Sequence, residues 1–172
     1  EQNPLFKGID PLQIWITEAH KRGMKVNIWF ESFYTGNKPN VDKTILAVKP
    51  EWSNVNLRNI DSPLPIASTS EHNGYFLDPA NPEVQNFLFD LLKEIITRYS
   101  PDGINIDYAR YPQSISSRYS GYAQSNWGYT QYARDEFKLI YGVDPVNIEY
   151  SDTKMWNEWD KYRQDKVSEY IE

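Results

Sequence analysis

The sequence contains no cysteine and only two histidines, His20 and His72, in 172 residues. Without thiols there is no disulfide framework, no thiolate nucleophile and no cysteine-built zinc or iron–sulfur site. Two imidazoles are too few for a histidine-built metal centre. A basic surplus is missing as well: 18 lysines and arginines stand against 24 acidic residues, for a net charge of -6 and a pI near 5.0. The basic residues are scattered, so a nucleic-acid partner is not expected. No run of roughly 18 apolar residues occurs, mean hydropathy is -0.71, and no membrane span is expected. No glycine-rich phosphate loop follows any strand, so no phosphorylated cofactor is expected, nor any other. Glu1 is not followed by a charged n-region and an apolar h-region, which reads as a chain processed or cut from something longer.

What is plentiful is aromatic side chains: six Trp, thirteen Tyr and seven Phe, in a chain that is 40% hydrophobic. That is more than a small core is expected to bury, so some of these rings should line a surface or a cleft.

Asp10-Pro11 opens a helix over about residues 11–22, with Leu12, Trp15, Ile16 and Ala19 as its apolar stripe and Gly23 as its stop. Lys25 to Phe30 reads as a strand. Residues 32–73 are broken by Gly and Pro, with a short helical candidate near Val41 to Val48. Gly74 to Leu77 is a second strand, and Asn81-Pro82-Glu83 starts a strongly periodic helix that Ser100-Pro101 ends. The third strand is Gly103 to Asp107. A loop from Tyr108 to Ser125 leads to a helix over about Trp127 to Tyr141, with Tyr129, Tyr132, Ala133, Phe137 and Ile140 as its stripe, and a last helix begins near Thr153. Strands alternating with helices predict an α/β fold with parallel strands. A (β/α)₈ barrel typically needs about 250 residues, so the expectation is one TIM-barrel-type domain over 1–172, truncated at both ends. A half barrel leaves open sheet edges, through which self-association is expected.

In β/α folds ligands bind at the carboxyl ends of the strands, which here are Glu31, Asp78 and Asp107. A pair of carboxylates is the usual machinery of glycoside hydrolysis. Parity adds to this. Asn27, Trp29 and Glu31 share one side of the first strand and Gly103, Asn105 and Asp107 one side of the third, while the opposite parity is aliphatic and suits a cover of helices. The polar parity is therefore expected to face a barrel interior and a ligand. Simpler roles stay open: Asp78 before Pro79 suits a turn or cap, Glu31 a solvated loop, Asp102 a cap at the opposite strand end, and both histidines ordinary surface positions. Trp52, Phe33, Tyr34, Tyr108 and Tyr111 follow strands, where rings either stack on sugar faces or pack.

The blocks Glu18-Ala19-His20-Lys21-Arg22-Gly23-Met24-Lys25-Val26, Tyr75-Phe76-Leu77-Asp78-Pro79-Ala80-Asn81-Pro82-Glu83-Val84, Pro101-Asp102-Gly103-Ile104-Asn105-Ile106-Asp107-Tyr108-Ala109-Arg110-Tyr111-Pro112 and Trp156-Asn157-Glu158-Trp159 together resemble the bacterial glycosyl-hydrolase-like family 10. The resemblance implies a (β/α)₈ barrel that hydrolyses cell-envelope or extracellular polysaccharide, such as peptidoglycan glycan strands, outside the cell or in the periplasm. It implies Asp107 as a catalytic carboxylate, with Arg110 and Tyr111 supporting the site or binding sugar. Many relatives carry two acids in succession where this chain has Asp107-Tyr108. Relatives often have Asn where this chain has Glu31, so Glu31 as the second acid rests on strand geometry alone. Asn27, Trp29, Asp78, Asn105 and Tyr108 complete the expected substrate-binding set. The competing expectation is a non-catalytic carbohydrate-binding or scaffolding module.

Overall fold

A computed structural model describes residues 3–38, 40–61, 66–67, 69, 73–113 and 126–172. His72 lies outside the described residues.

The first helix, α1, runs Pro11–His20. Asp10 caps it, accepting from the Gln13 N–H at 3.2 Å, and its second oxygen accepts from the Tyr99 hydroxyl at 2.8 Å. Ile16 is buried, whereas Trp15 leaves 67% of its surface exposed. The expected stripe is thus too wide by one residue.

Strand β1 runs Asn27–Glu31, two residues beyond the predicted start, and β4 runs Gly103–Asp107. They pair in parallel, with Asn27 level with Gly103, Trp29 with Asn105 and Glu31 with Asp107. Asp102 fastens their amino-terminal ends: its N–H donates to the Val26 carbonyl at 2.9 Å, and Oδ2 accepts from the Val26 N–H and bonds His20 Nε2, each at 2.8 Å. The ladder runs on past the other end, where the Ser32 N–H donates to the Asp107 carbonyl at 2.8 Å.

The predicted middle strand is the main correction. β3 covers Gly74–Phe76 and pairs antiparallel with β2, Tyr34–Asn37, instead of joining β1 and β4. Among the described residues the sheets are therefore β1–β4 and β2–β3. A bulge between Tyr34 and Gly36 interrupts the pairing, and Gly36 takes φ 127, a conformation open to glycine. Gly74 is also required: a Cβ there would lie 2.3 Å from Cε2 of Tyr34, whose ring crosses it. Tyr-Thr-Gly-Asn carries no alternation of apolar and polar residues, so β2 is invisible to periodicity.

Helix α2 spans Pro82–Tyr99, capped by Asn81. Val84 and Leu88 of α2 join Phe33, Leu46, Trp52, Phe76 and Leu77 in one core cluster, against which Phe30 of β1 packs. Helices α3, Gln131–Tyr141, and α4, Thr153–Ile171, supply Phe137, Trp156, Trp159 and Tyr162 to a second cluster, which Trp127 and Tyr129 join from the segment just before α3. Trp159 stacks on Tyr162 at 5.3 Å and 12° and meets Phe137 edge-on at 5.0 Å. Much of the aromatic surplus is thus core: ten of the rings among the described residues are buried. Phe33 and Trp52, which stood as candidate sugar platforms, are buried there too, because the 32–61 segment folds back over α2 and β3. In α3 the expected stripe is narrower than read: Ala133 and Phe137 are buried, Tyr132 and Ile140 exposed. No helix of the described residues is long and apolar enough to cross a membrane.

Candidate active site

In-register neighbours on parallel strands project to the same side of the sheet. The pairing of β1 with β4 therefore puts Asn27, Trp29 and Glu31 on one face with Gly103, Asn105 and Asp107. The faces differ as the alternation demands along β1, where Ile28 and Phe30 are half-buried and Asn27, Trp29 and Glu31 exposed; on β4 Ile104 is half-buried and Asn105 exposed, but Ile106 is exposed and Asp107 half-buried. Asn27 lies across the strand gap, since a Cβ on Gly103 would fall 2.5 Å from its Oδ1.

At the carboxyl end of this face, Glu31 and Asp107 are adjacent in register on neighbouring strands. The Asp107 carboxylate is held at both oxygens. Trp29 Nε1 donates to Oδ2 at 2.8 Å, and the Tyr108 backbone N–H donates to Oδ1 at 2.7 Å. Tyr108 adopts φ 48, a left-handed conformation uncommon for a tyrosine. Its ring turns away from the face, packing 5.2 Å from Tyr34 and 5.8 Å from Phe76. The Arg110 guanidinium lies 5.0 Å over that ring and donates to the Tyr111 carbonyl at 3.2 Å. Glu31 also lines a cavity of about 480 Å³ with Lys43, Thr44, Phe87 and Leu91.

Besides the Tyr108 ring, two more expected members of the site lie away from this face. Asp78 is fully buried; its Oδ2 accepts from the Thr130 hydroxyl at 2.5 Å and its Oδ1 from the Ala80 N–H at 3.1 Å. Burial pushes its pKa up to about 6, against the lowering effect of those two hydrogen bonds. It offers a ligand no exposed oxygen, because β3 does not run beside β1 and β4. Tyr111 is half-buried, but its hydroxyl is fully buried with no hydrogen-bond partner among the described residues. Burial, and after it the nearby Asp78 charge, raise that phenol well above its ordinary value. Its ring flanks a cavity of about 420 Å³ with Arg110, Asp160, Arg163 and Gln164.

Periodicity and strand ends also passed over some residues near this site. Tyr170 of α4 donates to Ser32 Oγ at 3.0 Å, packing α4 against the exit of β1 directly after Glu31. Asn54, fully buried, accepts from the Gly128 N–H at 2.9 Å and bonds the β3 exit through the Leu77 carbonyl. No sequence signal separates such an asparagine from a loop residue. No cluster of three or more His, Asp or Glu able to hold a metal occurs among the described residues.

The profile of the family described as glycosyl hydrolase-like 10 matches residues 2–172. The chain belongs to this family. Among curated proteins, it is 33% identical over 120 residues to the glycosyl hydrolase DigH of Escherichia coli (strain K12), covering 68% of this chain and 26% of DigH. It is 27% identical over 139 residues to the glycosyl hydrolase YngK of Bacillus subtilis (strain 168), covering 77% of this chain and 24% of YngK. The chain thus spans about a quarter of the length of these curated relatives. Among solved structures, it is similar to the alpha-galactosidase from Lactobacillus brevis, with a TM-score of 0.43 and 23% identity, covering 76% of this chain and 17% of that one.

Proposed function

We propose that this chain is part of a (β/α)-barrel glycoside hydrolase acting on a cell-envelope or extracellular polysaccharide, such as peptidoglycan glycan strands, by carboxylate acid–base chemistry. Asp107 and Glu31 are its two acids. The observation that carries this reading is the register of β1 and β4, which sets Glu31 and Asp107 side by side at the carboxyl edge of one face. Hydrolysis of a glycosidic bond needs one carboxyl group to protonate the leaving oxygen and another to attack or to activate water. Asn27 and Asn105 supply hydroxyl-binding amides on the same face, and the exposed Trp29 ring supplies an apolar surface for a sugar. Membership of the glycosyl hydrolase-like 10 family supports the reading. A substrate of this kind places the protein in the periplasm or outside the cell.

The rival reading, a carbohydrate-binding module without activity, predicts that this face retains glycan and leaves it intact. The test is release of new reducing ends from peptide-free peptidoglycan glycan strands by the intact protein. Hydrolysis predicts new reducing ends that Glu31→Gln and Asp107→Asn each abolish. Retention of the strands with no new ends would replace the proposal with the binding module.

A further inference from the structure

We propose that Trp29 is a positioning residue for Asp107, an inference that rests on the glycosidase reading above. Register places Trp29 level with Asn105, one same-face step short of Asp107, and the indole spans that diagonal to donate from Nε1 to Oδ2 at 2.8 Å. The Tyr108 N–H takes the other oxygen at 2.7 Å, directed there by a left-handed backbone at φ 48 and steadied by the packing of the Tyr108 ring on Tyr34 and Phe76. One donor comes from β1 and the other from the residue that ends β4. Together they fix both the rotation of the carboxylate about its Cβ–Cγ bond and its tilt toward β1, where Glu31 stands.

Core packing does not account for Trp29, because 70% of its surface is exposed. An indole has one polar atom, a donor, and here it is committed to a carboxylate on the neighbouring strand. Holding a reacting group within a fraction of an ångström of its productive geometry acts on turnover, whereas a stacking surface acts on affinity. The two roles separate by substitution. Trp29→Phe keeps a ring and loses the N–H; Trp29→Ala loses both.

In the intact protein, with peptide-free glycan strands as substrate, Trp29→Phe is expected to lower kcat by roughly ten- to a hundredfold with KM within about twofold. Trp29→Ala is expected to raise KM in addition. Unchanged kcat in Trp29→Phe would overturn the proposal and leave Trp29 as a stacking surface. A second readout needs no turnover: the Trp29 indole N–H resonance in ¹H–¹⁵N spectra of the protein without glycan. It is expected to move on Asp107→Asn and to stay in place on Glu31→Gln. An indole resonance indifferent to Asp107→Asn would overturn the proposal even in an active enzyme. A protein that hydrolyses no glycan but shows the shift overturns only the glycosidase reading.

Discussion

Thr130 and Asp78, 52 residues apart in sequence, meet inside the protein through a 2.5 Å hydrogen bond from the Thr130 hydroxyl to Asp78 Oδ2. The same hydroxyl oxygen caps α3, accepting from the Ala133 N–H at 3.2 Å. One side chain therefore starts the helix and docks it against the turn that precedes α2. Thr130→Val keeps the shape and removes both bonds. It is expected to lower unfolding free energy by about 2–4 kcal/mol, the sum of a lost cap and a lost bond to a buried carboxylate, measured by urea denaturation.

The Asp78 carboxyl also gives the fold a pH dependence. Its pKa rises on folding from the ordinary 3.8 to about 6, so the folded state binds the proton more tightly. The contribution of this group to stability is fully present below pH 3.8 and is lost as pH rises through about 6, a change of roughly 3 kcal/mol. The difference in unfolding free energy between wild type and Asp78→Asn is expected to shift in favour of the wild type as pH falls from 7 to 5. A constant difference over that window would contradict a carboxyl group that titrates inside the core.

Asp102 should behave oppositely. The Val26 N–H first, and His20 after it, hold its carboxyl below the ordinary carboxylate value. Its contribution is present above pH 3.8 and is lost as pH falls through the lowered value. Asp102→Ala is expected to lower Tm at pH 7 and to lose that effect in strong acid, as followed by circular dichroism.

A methyl group at position 74 tests the β2–β3 pairing. The Tyr34 ring that crosses Gly74 is itself wedged against Phe76 and Tyr108, so it has little room to move. Gly74→Ala is expected to cost about 1–3 kcal/mol. Tyr34→Ala should relieve that added cost in the double variant.

How much of the fold and the site is legible in the sequence depends on how each residue is held. Asn-Ile-Trp-Phe-Glu and Gly-Ile-Asn-Ile-Asp alternate cleanly, so the face carrying Trp29, Glu31 and Asp107 is readable from the alternation alone. Parallel pairing in register then follows the same period. β2 is not readable, because Tyr34 to Asn37 is held by a bulge, a glycine at positive φ and a ring crossing Gly74, none of which leaves a periodic trace. Asp78 shows the same limit. Asp-Pro at the end of an apolar strand looks like a rim carboxylate or a turn, and only the distant Thr130 decides between them. Trp15, Tyr132 and Ile140 mislead for a related reason: helical spacing gives a stripe's direction but not its width.

β1 and β4 pair only with each other among the described residues, which leaves each with an outward edge, and Ile106 is exposed beside one of them. The 172-residue chain is accordingly expected to self-associate through these edges. Sedimentation velocity would show species heavier than 20.2 kDa; a single monomeric boundary at high concentration would contradict it.

In the proposed reaction Asp107 performs chemistry on a glycan. The measurement that tests it most directly is the rate of reducing-end release from peptide-free glycan strands by the intact protein and by its Asp107→Asn variant, both verified as folded. The side-by-side carboxylates predict a fall of about a hundredfold or more. Undiminished release would remove Asp107 from the reaction.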